Sequence, residues 1–523
     1  MPADNNDWVM KFLTFYLSRL PDHAQIFIFD LLDPEYIKDF FLYFPDNKLH
    51  QLLVDHYFSK VLHFQMGEIV AHHHEFMYDY TSSEVVSFYG MKNILRFMKD
   101  FPKIVPRRLL LIGESDGGIL KDDRISKIDE LEVIIDGSDI DPDYFDYIIS
   151  FPNLTRLHIM DEFIGEGMLD SRKFTKHPKL QDVAIISFEA DFSDIKLPKS
   201  LRKLGVTSCS FDISDVKIPK SVSHICMSKC SIDDFAELAT ILPKSLSSLC
   251  LCDNELEGIV LDDLPAGLRS LDLASNEVSI ELDNSNKTWP IDLCELNVSG
   301  STIDDLFLEQ LDSSIGWPKK LTKLDVSCSQ INQIGKLQLP ESLEILNISS
   351  NPLSWDCIKE TPFRFPGNLT VLDMTECGIS NLNCLKLPQS LKKLRLGNNG
   401  IDDILSYDDW SELIHLHTLD LSQNKIISLN NWKSPPKLIK LVLSNNEISE
   451  LSSYCDWKAL VNLRTLDLAS NKITSLDNWL KPPNLVRLDL SRNPSDELSL
   501  KFPMFKEKID APYRSFTLAS IKD

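Results

Sequence analysis

The chain has 523 residues, 43% hydrophobic and 25% charged, with a formal net charge of −24 and a pI near 4.9. That is too apolar for disorder, and too acidic for a main partner that is a phosphate backbone, which needs clustered Lys and Arg. No apolar run is long enough to cross a bilayer. The opening Asp4-Asn5-Asn6-Asp7 and eleven scattered cysteines predict an intracellular chain, cytoplasmic or nuclear, with reduced thiols.

Taken in order, residues 1–105 have helical spacing and form a first domain. Phe12, Phe15, Tyr16 and Leu20 share a helical face that Pro21 ends. Ile26 to Leu32 makes a second helix, stopped at Asp33-Pro34, and helices over Glu35 to Tyr43 and Lys48 to Val61 follow. A further helix is expected from Ser82 to Met98, with Ser82 or Ser83 as its N-cap. The density of aromatic residues predicts a packed bundle.

Within this bundle, Leu20-Pro21, Ile28-Phe29 and Leu32-Asp33-Pro34 stand in an order that resembles the first half of an F-box. The resemblance covers residues 13–64. It implies that Leu20, Pro21, Ile28, Phe29, Leu32 and Pro34 form a helical hook for the Skp adaptor of a cullin-RING ubiquitin ligase. His23 replaces the usual acidic residue, and Leu53-Val54-Asp55-His56-Tyr57-Phe58 stands where the family has its Cys-Arg-x-Trp element. The alternative for the same segment is a helical cap over the first repeat, which every solenoid needs.

From Arg107 the period changes. Leu109 to Ile112 and Leu131 to Ile135 are expected strands, after which units begin near Leu154, Leu180, Leu201, Val222, Leu246, Leu268, Leu293, Leu321, Leu343 and Leu369. Many open on a Leu-Pro lead: LPKSL at Leu197 and Leu242, IPKSV at Ile218, LPAGL at Leu264, LPESL at Leu339 and LPQSL at Leu387. Proline fixes its own φ and extends the residue before it, so the approach to each strand is short and stiff.

The pattern is clearest at the end of the chain. LKKLRLGNN, LHTLDLSQN, LIKLVLSNN, LRTLDLASN and LVRLDLSRN start at Leu391, Leu416, Leu438, Leu463 and Leu485. The starts are 25, 22, 25 and 22 residues apart, which makes a 47-residue double repeat. Each is LxxLxLxxN, the signature of a leucine-rich repeat. Positions one, four and six point inward. Position nine is Asn in Asn254, Asn276, Asn351, Asn399, Asn424, Asn446, Asn471 and Asn493, where a buried amide satisfies backbone groups at the bend. Cys209, Cys230 and Cys377 take the same position. The expected fold is an α/β leucine-rich repeat solenoid over residues 106–500, with fifteen clear units, one or two degenerate ones and a curved parallel sheet. The helical domain precedes it, and residues 501–523, with Phe502 to Phe505, close the last unit. The LPxSL units behind a helical N-terminus resemble yeast-type F-box and leucine-rich repeat proteins.

Positions three and five of each unit face outward on the concave sheet. Position five reads Asp272, Asn297, Asp325, Asn347, Asp373, Arg395, Asp420, Val442, Asp467 and Asp489; position three contributes Lys203, Lys323, Lys393, Lys440 and Arg487. Residues two apart on a strand share a face, which sets Lys323 beside Asp325 and Arg487 beside Asp489. The candidate target site is Asp325, Asp373, Lys393, Arg395, Asp420, Lys440, Asp467, Arg487 and Asp489. His72-His73-His74-Glu75 is no metal site, because adjacent helical residues diverge. Cys250 and Cys252 share a strand face, a spacing open to a metal or redox pair. No phosphate loop, nucleophile elbow or zinc-protease motif is present. The sequence thus predicts a non-catalytic binding protein without cofactor or metal. Its expected partners are a Skp adaptor with its cullin and an unknown target, with no nucleic acid, membrane or small-molecule substrate. The rival reading is a non-ligase scaffold of the phosphatase-regulator type.

Overall fold

The computed structural model describes residues 127–135, 150–161, 177–187, 197–209 and, with short breaks, 216–494, with strand backbone at 63–66, 85–88, 108–112 and 516–517. The chain divides into two compact units, Met1–Cys230 and Ser231–Asp523.

In the first unit eight strands pair in parallel. They are β1 (His63–Met66), β2 (Val85–Phe88), β3 (Arg108–Ile112), β4 (Glu130–Ile135), β5 (Arg156–Asp161), β6 (Asp182–Ser187), β7 (Lys203–Thr207) and β8 (His224–Ser228). β1 lies between β2 and β3, and the rest follow in chain order. The helix expected over Ser82 to Met98 is therefore strand at Val85–Phe88. Val85 and Val86 are β-branched, and a β-branched pair packs better on a pleated sheet than on a helix. The F-box-like segment up to residue 62 and the histidine run at His72 lie outside the described residues.

In the second unit eleven three-residue strands, from Ser248–Cys250 to Arg487–Asp489, pair in parallel with like positions opposite each other. Every strand of the fifteen predicted units starts two residues after its first apolar residue, as Arg156 does after Leu154 and Arg487 after Leu485. The last strand is closed by Phe516–Thr517, paired antiparallel with Arg487 and Leu488. The expected closing residues, Phe502 to Phe505, lie outside the described residues.

The core is a set of leucine layers. Leu391, Leu394 and Leu396 are fully buried, as are Leu416, Leu419 and Leu421 one coil on. Helix is sparse among the described residues: α1 (Phe235–Ile241) and α2 (Asp305–Ser314) fill two of the coils. Asp234 caps α1 by accepting from the Ala236 and Glu237 N–H groups.

Two devices bend each coil. The Leu-Pro lead closes a turn in which the first apolar residue donates its N–H to the proline carbonyl three residues back, as in Leu201 to Pro198 and Leu391 to Pro388. At the other end, position eight is left-handed in thirteen coils from Ser208 (φ 53°) to Arg492 (φ 56°), and only Gly300 among them is glycine. That conformation disfavours side chains. It is kept because it turns the position-eight N–H onto the position-seven carbonyl of the next coil, as in Asn398 to Ser422 and Ser470 to Ser491. The ladder thus continues around the bend.

Position nine holds the bend from inside. The Asn446 Nδ2 donates to the carbonyls of Leu421 (2.9 Å), Leu443 (3.0 Å) and Ser444 (3.4 Å), and its Oδ1 accepts from the Ile426 N–H (3.0 Å). One side chain therefore bonds to its own bend and to the coil before it. Cys377 keeps only part of this, with its thiol on the Ile348 carbonyl at 3.2 Å.

Candidate recognition face of the sheet

Leu394, Leu419, Leu441, Leu466 and Leu488 point inward from the middle of their strands, so the residues on either side share the open face. All nine predicted target-site residues stand on it. Along position five the register runs Asp272, Asn297, Asp325, Asn347, Asp373, Arg395, Asp420, Val442, Asp467, Asp489. A neutral or cationic residue separates successive aspartates everywhere except Asp467 and Asp489. Strands in a sheet lie ~4.8 Å apart, and like charges directly opposite each other destabilise it.

These aspartates first serve the fold. Each Oδ1 accepts the N–H two residues on, at the mouth of the bend: Ser327 to Asp325 (3.0 Å), Ser422 to Asp420 (2.9 Å), Ala469 to Asp467 (3.0 Å) and Ser491 to Asp489 (2.9 Å). Hydroxyls of Ser327, Thr375 and Ser422 add a second bond to the same oxygen. Asn297 and Asn347 make the identical brace with the Ser299 and Ser349 N–H groups. The charge is therefore not what the bend requires.

The second oxygen differs from coil to coil. That of Asp325 accepts from Asn347 Nδ2 at 2.8 Å, and that of Asp373 pairs with Arg395 at 2.7 Å. Lys323 does not turn along its strand to Asp325. It reaches across to Glu295 in the preceding coil at 2.5 Å, because facing residues on neighbouring strands are closer than residues two apart on one strand. Lys440 and Arg487 are exposed, and Lys393 is half-buried.

Residues 436–482 match the family model described as leucine-rich repeats, in two copies. The coils that start at Leu438 and Leu463 are leucine-rich repeats. No curated protein sequence matches the chain. Among solved structures, YopM from Yersinia enterocolitica is similar at 22% identity over 60% of this chain and 74% of that one, with a TM-score of 0.35. An internalin from Listeria monocytogenes is 20% identical over 72% of this chain and 93% of that one, with a TM-score of 0.39. The TLR13 chain solved with ssRNA13 is 18% identical over 74% of this chain and 64% of that one, with a TM-score of 0.49.

The first unit carries an ion ladder on its repeats that the sequence reading missed. Arg156 bonds Glu130 and Asp182, both at 3.0 Å, and His158 lies 3.5 Å from Asp182. Burial alone would raise the Asp182 carboxyl, but His158 and Arg156 outweigh it and hold it below its ordinary value. These partners are 26 residues apart in sequence, so only the strand register reveals them. Cys250 and Cys252 do share a face, with 3.5 Å between their sulfurs. The Cys250 thiol, followed by burial, pushes the Cys252 thiol up, which makes it a poor nucleophile. Among the described residues, no group of three or more His, Cys, Asp or Glu is placed to hold a metal.

Asp467 gives a test of charge against brace on these repeats. Burial raises its carboxyl, and Asp489 and Asp420 add to the rise, against the bonds from Ala469 and Ser444. A raised acid contributes stability that is complete below its unfolded value of about 3.9 and is lost as pH climbs through the folded value. Asp467→Asn keeps the brace and removes the charge. The variant is expected to melt above the parent at pH 7, with the difference closing at pH 3. Thermal melts at the two pH values check this.

Proposed function

We propose that this chain is the substrate-recognition subunit of a Skp–cullin–F-box ubiquitin ligase, with its target held on the open face of the repeat sheet. Leucine-rich repeats are protein-interaction modules, and stacked units of this kind offer extended binding surfaces. The receptor half of the reading is supported by the sheet register: eleven strands in the second unit present positions three and five side by side, and in the last five, from Lys393 to Asp489, every coil carries charge there. A surface that long suits a protein and far exceeds a small-molecule site. The ligase half is supported by the sequence of residues 13–64, with Leu20-Pro21, Ile28-Phe29 and Leu32-Asp33-Pro34 as the adaptor hook. In this reading ubiquitin transfer belongs to partner subunits, and this chain positions the target.

A second reading, a non-ligase scaffold, gains from β1 and β2, which extend the sheet where a helical bundle was expected. Those strands begin at His63, so they overlap only the last residues of the F-box-like segment and the two readings differ at the hook itself. The deciding experiment mixes the full chain with purified Skp adaptor and measures binding by calorimetry. The ligase reading expects binding that Leu20→Ala with Pro21→Ala weakens at least tenfold. No binding by the parent chain leaves the scaffold reading in its place.

A further inference from the structure

We propose that the open sheet face of the five coils starting at Leu391, Leu416, Leu438, Leu463 and Leu485 seats an α-helical segment lying along the stack. That segment carries basic residues seven positions apart with an apolar residue between them. The inference rests on the reading of this face as a protein-binding surface and adds the class of partner.

The argument starts from the double repeat. Along position three the register is Lys393, Thr418, Lys440, Thr465, Arg487; along position five it is Arg395, Asp420, Val442, Asp467, Asp489. Cations recur every second coil on one side of the face, and Asp420 and Asp467 stand two coils apart on the other. The 47-residue period is thus a two-coil period of charge at position three; at position five it holds for Asp420 and Asp467 and is broken by Asp489, which stands next to Asp467. Between the two carboxylates sits Val442, buried to 9% exposure, the apolar floor of the face. The short Thr418 and Thr465 side chains flank Lys440 and keep the surface low around it.

Spacing selects the ligand. Parallel strands lie ~4.8 Å apart, so Asp420 and Asp467 are separated by ~9.6 Å. Seven residues of α-helix advance ~10.5 Å and return to the same face. The mismatch of ~1 Å is small against the reach of a lysine or arginine side chain. An extended chain rises ~3.3 Å per residue, so ~9.6 Å spans three residues, and the third side chain points to the opposite face. A helix fits this spacing and a strand does not. With basic residues over Asp420 and Asp467, the residue midway between them falls over Val442, and a neighbouring acidic residue meets Lys440.

The edge of the same coils repeats in step. Ile414 and Val461 each stand two residues before the first leucine of their coils, and Ile439 and Val486 one residue after it. These four are 44%, 49%, 42% and 41% exposed, in that order. They give the charged face an apolar flank at the strand-entry side with the same two-coil period, which suits an amphipathic helix.

The test uses the full chain and three labelled peptides of equal length and net charge, read by fluorescence anisotropy. One is a stabilised helix with lysines seven apart around a central leucine. The second spaces the lysines five apart, and the third is the first with a proline that breaks the helix. A chain of net charge −24 attracts any basic peptide, so the comparison between spacings is the informative quantity. The seven-spaced helix is expected to bind at least tenfold tighter than the five-spaced one. Asp420→Asn with Asp467→Asn should erase that preference. Asn already braces the same position at Asn297 and Asn347, and a thermal melt verifies that the double variant is folded. Equal affinity for both spacings overturns the helix proposal. If the proline-broken peptide binds as tightly and still needs Asp420 and Asp467, the helix is withdrawn and the binding face stands. If no peptide responds to the double substitution, both fall.

Discussion

Trp410→Ala and Trp457→Ala are each expected to lower stability by about 3–5 kcal/mol, the range for emptying a large buried aromatic site. Both rings are buried to 2% exposure or less, and each opens a single-turn helix in a 25-residue coil. Each meets a tryptophan from the following lead edge to face: Trp410 with Trp432 at 6.2 Å, and Trp457 with Trp479 at 6.0 Å. The pairs fill the side of the long coils that the leucine layers leave open. Contacts in a solenoid run only between neighbours. The loss should therefore appear as a separate early transition of the last coils, seen in denaturant melts and in faster hydrogen exchange around Leu419 and Leu466. The two sites should also differ. The Trp410 indole N–H donates to the Ile404 carbonyl at 2.8 Å, whereas that of Trp457 has no partner among the described residues. Trp→Phe is then expected to cost about 1 kcal/mol more at Trp410 than at Trp457.

Asn446→Ala carries the next largest effect, about 2–3 kcal/mol. The change leaves the carbonyls of Leu421 and Leu443 and the N–H of Ile426 without the amide that joins two coils. Buried backbone groups deprived of a partner each carry a penalty of about 1–3 kcal/mol, moderated where the bend relaxes toward solvent. Asn446→Cys should recover part of the loss, because a thiol at this position still donates to a carbonyl, as Cys230 does to Ser228 at 3.1 Å. Equal destabilisation by Ala and Cys, measured by chemical denaturation, would refute this account of position nine.

The fold was legible because a repeat reports the same environment many times. Leu391, Leu394 and Leu396 and their counterparts placed the buried layers, and Asn at position nine placed the bends. What a consensus conceals is the bonding between coils. Ser301 holds position nine with a hydroxyl bond to the Leu273 carbonyl of the preceding coil, and nothing in the residue type announces it. In the LPxSL lead the proline was read as a stiffener, but the serine staples coils together: Ser342 donates to the Leu321 carbonyl at 2.7 Å, and Ser390 to that of Leu369 at 2.6 Å. The aspartates of position five looked like a charged recognition column, yet each spends one oxygen on its own bend. Lys323 stands beside Asp325 on the face as the spacing implies, but its ion pair runs across coils to Glu295. Val85 to Phe88 was read as helix because a short apolar run carries no period of its own. The alternation of charge by twos was in the sequence throughout. It acquired meaning only when Asp420, Val442 and Asp467 were found opposite one another.

The central claim is that a protein partner rests on the open face formed by positions three and five. Site-directed photo-crosslinking of the full chain tests it most directly. A photoreactive residue is placed at Thr418 or Thr465 on that face, or at the exposed Lys433 or Lys481 away from the sheet. The account predicts one common protein adduct from Thr418 and Thr465, lost in the Asp420→Asn, Asp467→Asn background and absent from the two lysine positions. Adducts from Lys433 and Lys481 alone, with Thr418 and Thr465 silent, would contradict it.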